Sequence, residues 1–166
     1  MPLGVSTWWW RVGSLSGAPH MRLRVYLVED CPIVCERLQE LMHDDGATVV
    51  GHAEDAATAV TEIAALCPDV VVVDIALRES TGFHVLDAIS DLPETVRPTR
   101  IVLTNFTRDW YRNAAKRLGA EHFFDKSSQI PEMLDVLRTV ARRQAPRKHP
   151  SPPRSGVAGV RYRVQC

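Results

Sequence analysis

The stretch PDVVVVD, residues 68–74, decides the fold of this chain. Four consecutive β-branched apolar residues fit a strand that is buried on both faces, and such strands are typical of parallel sheets. Asp74 follows at once, so its carboxylate is predicted at the carboxyl end of the strand, where open α/β sheets place their chemistry. A second apolar run, residues 23–28, ends in the same way at Glu29 and Asp30. Acids at two strand ends predict an acidic pocket that attracts a hard cation.

Hydrophobic periodicity on either side of this stretch predicts five strands that alternate with five helices. The predicted strands are residues 23–28, 48–53, 70–73, 100–103 and 122–124. The predicted helices begin at Pro32, after the cap Asp55, at Phe83, after the cap Thr107 and at Ile130. The alternation predicts a parallel sheet with helices on both faces, and right-handed crossovers bring all the strand carboxyl ends to one edge.

Length and composition predict one globular domain between two tails. The chain has 166 residues, of which 45% are hydrophobic and 24% charged. Residues 22–144 are predicted to fold, whereas residues 1–21 are predicted to be a disordered or mis-assigned extension, because Met21 offers an alternative start. Residues 145–166 are predicted to be a basic, Pro- and Gly-rich disordered tail.

Several classes of protein are disfavoured by what the chain lacks. No apolar run approaches the roughly 20 residues of a membrane helix. The first 20 residues show no basic start and no clear cleavage site of a secretory signal. Residues 145–166 show no helix-turn-helix periodicity. We therefore expect a cytoplasmic protein without a membrane partner and without sequence-specific DNA binding.

The predicted strand ends present a specific set of side chains: Glu29-Asp30, then Asp74, Thr104 and Lys126. With these residues in this order, the chain resembles the receiver domain of two-component response regulators, the fold of the chemotaxis regulator. The matching stretches are residues 28–30, residues 73–75 with Gly82, residues 103–105 and residues 123–127. The resemblance covers about residues 22–143. It implies a flavodoxin-like (βα)5 fold, an α/β doubly wound parallel five-stranded sheet with strand order 2-1-3-4-5.

The resemblance also implies a phosphoacceptor site. Asp74 would take a phosphoryl group from a sensor histidine kinase or a histidine phosphotransfer protein. Mg²⁺ would bind directly to Asp30 and Asp74, through water to Glu29, and to the backbone carbonyl of Ala76.

A switch would respond to that phosphoryl group. Thr104 and Lys126 would bind its oxygens, and Phe123 would be the switch aromatic, whose ring turns inward when Thr104 moves. The surface that changes would lie around the fourth helix and the fifth strand. An output protein of unknown identity would bind there, and a homodimer through the fourth helix, fifth strand and fifth helix is a further expectation.

Four residues depart from the pattern that is common in the family. Phe123 has no phenolic hydroxyl to hold its ring outward, and Asn105 is bulkier than the small residue often found after the switch hydroxyl. Ala76 and Phe106 stand at positions that influence the attack of water on the phosphoryl group, and both are apolar. We therefore expect slow autodephosphorylation.

The favoured function is a stand-alone receiver that works as a phosphorylation-controlled protein–protein switch and not as an enzyme on other substrates. The alternative is a phosphate-independent pseudo-receiver, a protein-binding adaptor. A flavodoxin is disfavoured because the loop after the first strand is acidic instead of a phosphate cradle. A haloacid-dehalogenase-type phosphatase is disfavoured because Ala76 replaces its second acid.

Overall fold

The structure is a computed structural model that describes residues 23–143, in which five strands alternate with five helices. The strands are β1 (Arg24–Val28), β2 (Thr48–Ala53), β3 (Val70–Val73), β4 (Thr99–Thr104) and β5 (His122–Asp125). The helices are α1 (Pro32–Asp44), α2 (Ala56–Leu66), α3 (Gly82–Ser90), α4 (Asp109–Arg117) and α5 (Ile130–Arg143). The expectations for residues 1–21 and 145–166 lie outside the described residues.

All neighbouring strands pair in parallel, in the order β2-β1-β3-β4-β5. This is the flavodoxin-like order that the resemblance implies, so that prediction is confirmed. Each strand end lies within one residue of its predicted position. The agreement is close because each strand has apolar residues at its centre and is bounded by turn residues, which is a pattern that sequence periodicity reads well. Within residues 23–143 no helix is long and apolar enough to cross a membrane.

The sheet separates two apolar layers, because successive side chains of a strand point to opposite faces. On one face, Val71 and Val73 pack with α2, α3 and α4. On the other face, Val70 and Val72 pack with α1 and α5. All four valines are buried, which explains why β3 is apolar throughout and not alternating.

The helix caps agree with the sequence in one case and differ in another. Asp55 caps α2, since its carboxylate accepts a hydrogen bond from the amide of Thr58 at 2.9 Å. The prediction that Thr107 caps α4 is wrong. The helix begins at Asp109 with Arg108 as its N-cap, and Arg108 makes no side-chain capping bond. The first turn of the helix closes on the Arg108 carbonyl, which accepts from the amide of Tyr111 at 3.0 Å. Thr107 therefore lies one residue before the N-cap position, where its hydroxyl does not cap the helix.

Gly82, the first residue of α3, lies against the backbone that carries Asp74. A Cβ atom at residue 82 would be 2.2 Å from the Asp74 carbonyl oxygen and 2.6 Å from Cγ1 of Val73. Real Cβ atoms do not approach other atoms this closely, and the backbone carbonyl of Asp74 has little room to move, because its own amide is bonded to Val28 at the end of the sheet. The absence of a side chain at residue 82 therefore lets α3 pack directly behind the end of β3.

The substitution Gly82→Ala tests this packing. We expect the free energy of unfolding to fall by about 1–3 kcal/mol, because the added methyl group must displace backbone and not the tip of a flexible side chain. Urea titration followed by circular dichroism measures the change. His84→Ala, on the exposed side of the same helix, is the control and should shift the free energy by no more than about 0.5 kcal/mol. Equal stability of Gly82→Ala and the parent would contradict the close approach.

Candidate functional site

The candidate site is built from backbone that continues the sheet ladders just past the strands. The amide of Asp74 donates to the Val28 carbonyl at 2.9 Å, which extends the β1–β3 pairing by one residue. The amide of Lys126 donates to the Thr104 carbonyl at 3.0 Å, which extends the β4–β5 pairing in the same way. Four strands therefore place their end residues side by side at one edge, as the sequence predicts.

Lys126 joins the two buried acids of this edge. Its ammonium donates to Oε2 of Glu29 at 2.7 Å and to Oδ2 of Asp74. The side chains are almost enclosed, with exposed fractions of 11% for Lys126, 4% for Glu29 and 8% for Asp74. Three charges of alternating sign thus lie together in a region that water barely reaches, where their attraction is much stronger than at the surface.

Burial and pairing act against each other on the pKa values in this cluster. Burial raises the pKa of Glu29, and the bonds from Lys126 only partly offset that effect. For Lys126, burial alone would lower the pKa, but hydrogen bonds and charge attraction from Asp74 and Glu29 outweigh it, so the net shift is upward. The ammonium of Lys126 therefore stays protonated across the physiological range.

The remaining oxygens of the two acids are held by local backbone. Oδ1 of Asp74 accepts from the amide of Ala76 at 3.1 Å, and Oε1 of Glu29 accepts from the amide of Cys31 at 3.1 Å. Both contacts are two-residue turns of the kind that acids make at strand ends. They fix the orientation of each carboxylate and direct it toward Lys126.

Asp30 and Ala76 lie at the outer part of this edge. Asp30 is half-buried and Ala76 is exposed. Arg78 donates to the backbone carbonyl of Asp30 at 3.5 Å, whereas the structure shows no partner for the Asp30 carboxylate within residues 23–143. No group of three or more His, Cys, Asp or Glu side chains in this part of the chain is arranged to hold a metal ion. The structure thus brings Glu29 and Asp74 together through Lys126, and the magnesium ligand set stays a prediction.

Thr104 is completely buried at the end of β4, and its hydroxyl faces its own loop. Oγ1 accepts a hydrogen bond from the amide of Phe106 at 3.3 Å. Asn105 and Phe106 themselves are exposed, and 43% of Phe106 is open to solvent. The hydroxyl is therefore next to the site but bonded to the β4–α4 loop.

Sequence reasoning missed the surroundings of Phe123. The ring is half-buried against the core, and the guanidinium carbon of Arg112 lies 4.4 Å from its centroid. Nothing in the sequence pairs these residues, because α4 and β5 meet only through the fold. An aromatic cluster also surrounds Tyr111, whose ring centroid lies 3.6 Å from that of Trp110 and 5.1 Å from that of Phe106.

Comparison with known families identifies the class of protein that this fold and site define. The profile of the response regulator receiver domain matches residues 25–138. The chain belongs to the family of response regulator receiver domains. Members of this family are signalling phosphoacceptors of two-component systems, they generally use Mg²⁺ at the phosphorylation site, and they interact with histidine kinases or phosphotransfer proteins.

Individual relatives agree with this assignment. An uncharacterized 14.6 kDa protein from Leptolyngbya boryana is 29% identical over 72% of this chain and 88% of its own length. The uncharacterized transcriptional regulatory protein YvfU of Bacillus subtilis is 27% identical over 70% of this chain, which spans only 58% of that relative. A two-component response regulator of the LuxR family from Aurantimonas superposes with a TM-score of 0.67 at 26% identity, covering 73% of this chain and 86% of that structure.

The substitution Lys126→Met tests the ionic cluster. It leaves two buried carboxylates without their cation, so the free energy of unfolding should fall by about 3–5 kcal/mol at pH 7. Without Lys126 the pKa of Glu29 rises further, since its largest lowering influence is gone and only the backbone hydrogen bond from Cys31 remains. Glu29 then takes up a proton as the pH falls, and the gap between variant and parent should narrow at pH 5.

Urea titrations at pH 7 and pH 5 measure both effects. Lys116→Met, which removes an exposed lysine of α4, is the matched control and should leave stability nearly unchanged at both pH values. A Lys126→Met loss that is the same at pH 5 and pH 7 would show that the lost stability does not come from the carboxylates.

Proposed function

We propose that this protein is a phosphorylation-controlled receiver in which Asp74 accepts a phosphoryl group from a histidine kinase or a histidine phosphotransfer protein. The observation that carries the proposal is the contact of the Lys126 ammonium with the carboxylate of Asp74 at the end of β3. A buried nucleophile beside a fixed cation is what phosphoryl transfer requires, because the protein mainly positions the group and balances its charge. Membership of the receiver family supports the same function.

The proposed reaction is a single displacement. A carboxylate oxygen of Asp74 bonds to phosphorus, and the bond from phosphorus to the donor histidine nitrogen breaks. The electron pair of that bond leaves with the imidazole, and Asp74 becomes an aspartyl phosphate. Lys126 moves its contact from the carboxylate to a phosphoryl oxygen, so the added negative charge already has its counter-ion in place.

The kinds of ligand atom at this edge are those that a magnesium ion prefers. Asp30 and Asp74 offer carboxylates from two adjacent strand ends, and the exposed loop at Ala76 offers a backbone carbonyl. Mg²⁺ takes oxygen ligands and usually needs only one or two carboxylates, because it keeps several of its waters, one of which Glu29 would hold. The ion would supply positive charge that offsets the repulsion between the acids and an incoming phosphoryl group.

The proposed output is a change of surface. Thr104 would exchange its bond with the Phe106 amide for one with a phosphoryl oxygen, and the ring of Phe123 would follow. The affected surface comprises α4 and β5, where an output protein would bind, or a second receiver through α4, β5 and α5. The chain spans slightly more than half the length of two curated relatives, the regulatory proteins YvfU and YxjL of Bacillus subtilis. What the surface change controls in the whole protein therefore belongs to this proposal.

Acetyl phosphate with Mg²⁺ tests the central step. The purified chain should gain one phosphoryl group that is stable in acid and labile in base, and Asp74→Asn should abolish it. Asp87→Asn, an exposed acid of α3, is the matched control and should still be modified. Intact-mass spectrometry with and without hydroxylamine measures the adduct. An unmodified parent chain, with partner binding that Asp74→Asn leaves unchanged, would instead favour the phosphate-independent adaptor.

The lifetime of the adduct is a separate prediction. Ala76 and Phe106 are both exposed at the mouth of the site, and neither has a polar group that could orient an attacking water. Loss of the phosphoryl group should therefore be slow. Phe106→Glu should speed it by at least about tenfold by supplying a group that can hold a water, whereas Phe106→Leu should not. The decay of the adduct after removal of acetyl phosphate measures the rate, and rapid decay in the parent chain would contradict the prediction.

A further inference from the structure

Arg112 ties α4 to β5 through two contacts with the same residue. Its guanidinium carbon lies 4.4 Å from the centroid of the Phe123 ring, and its Nη1 donates to the Phe123 carbonyl at 3.2 Å. A guanidinium this close to an aromatic face is attracted by the ring electrons, and its planar shape suits stacking. Arg112 itself is exposed, so it covers the outer face of a ring whose other side packs against the core.

The contact between Arg112 and Phe123 lies on β5, the strand that leads to Lys126 of the candidate site. Phe123 pairs in register with Val102 of β4, and three residues later the backbone of Lys126 bonds to that of Thr104. The charge of Arg112 also reaches the end of β5. There the pKa of Asp125 is lowered mainly by hydrogen bonds from Ser127, and to a smaller extent by this charge. Arg112 therefore contacts Phe123 at one end of the segment 123–126, and Lys126, whose ammonium bonds to Asp74, is at the other end.

The bonds at the site show that the Arg112–Phe123 contact occurs while Asp74 carries no phosphoryl group. Lys126 is bonded to the Asp74 carboxylate, and the Thr104 hydroxyl is bonded to the loop amide of Phe106. In the proposed function both bonds are exchanged for bonds to phosphoryl oxygens. The Arg112–Phe123 contact coexists with them, so it contributes to the free energy of the unmodified arrangement.

We propose that Arg112 is a positioning residue that holds Phe123 and α4 in the unmodified arrangement. The inference rests on the proposed function. Phe123 has no hydroxyl with which to anchor its ring, and the guanidinium supplies that anchor from the neighbouring helix. In the proposed function the ring of Phe123 leaves this place in the modified state, so removing the guanidinium weakens the unmodified state and by linkage strengthens the binding of any ligand that favours the other state.

Beryllofluoride, which mimics a phosphoryl group on a carboxylate, is the probe. The dissociation constant for beryllofluoride with Mg²⁺ is measured on the full chain by fluorine NMR of the bound signal. Arg112→Gln should bind beryllofluoride about threefold more tightly than the parent, the factor expected from loss of an exposed cation–π contact. Arg112→Lys keeps the charge but loses the planar face, and its affinity should lie between the two. Lys116→Gln, which removes another exposed cation of α4, should leave the affinity unchanged.

The substitution Phe123→Leu shows whether the effect passes through the ring. In that background Arg112→Gln should change the beryllofluoride affinity less than it does in the parent, because the ring face is absent and only the bond from Arg112 to the backbone carbonyl of residue 123 remains. Unchanged or weaker binding by Arg112→Gln, or a gain that is undiminished in Phe123→Leu, would overturn the role of Arg112 while leaving the proposed function intact. No bound beryllofluoride signal in the parent chain would overturn both.

Discussion

The contact of Lys126 with the two buried acids is the interaction on which the site depends. Two carboxylates in a nearly dry region repel each other unless a cation lies between them. Lys126 supplies that cation, so Glu29 and Asp74 stay close to each other. The cluster also suits the proposed phosphoryl transfer, because the same ammonium can stabilise negative charge that arrives on Asp74. One interaction therefore serves both the packing of the sheet edge and its proposed chemistry.

Backbone hydrogen bonds between neighbouring strands position Asp74 and Lys126 for this contact. Asp74 and Lys126 continue the backbone ladders of β1–β3 and β4–β5, so their positions follow from strand pairing and not from a flexible loop. Gly82 lets α3 approach the backbone of Asp74 more closely than any residue with a side chain would permit. Groups held this firmly are preorganised, and preorganisation is the main contribution that a protein makes to phosphoryl transfer.

The sequence predicted the parts of the site that depend on strand ends. Glu29, Asp74, Thr104 and Lys126 lie together because each follows a short apolar run, and parallel strands bring such ends to one edge. It failed at Thr107, whose hydroxyl lies one residue before the cap, because capping depends on where the first helical turn closes. It also missed Arg112, which meets the ring of Phe123 eleven residues along the chain only after α4 folds back beside β5.

The sequence by itself determined the alternation of strands and helices, the burial of β3 and the identity of the residues at the strand ends. These features depend on local patterns, since the spacing of apolar residues and the identity of turn residues are visible within a few positions of the sequence. Only the tertiary structure decided that the Lys126 ammonium lies between Glu29 and Asp74 and that Arg112 covers Phe123. Such contacts join side chains from different elements, and their distances and burial exist only once the sheet and its helices have packed.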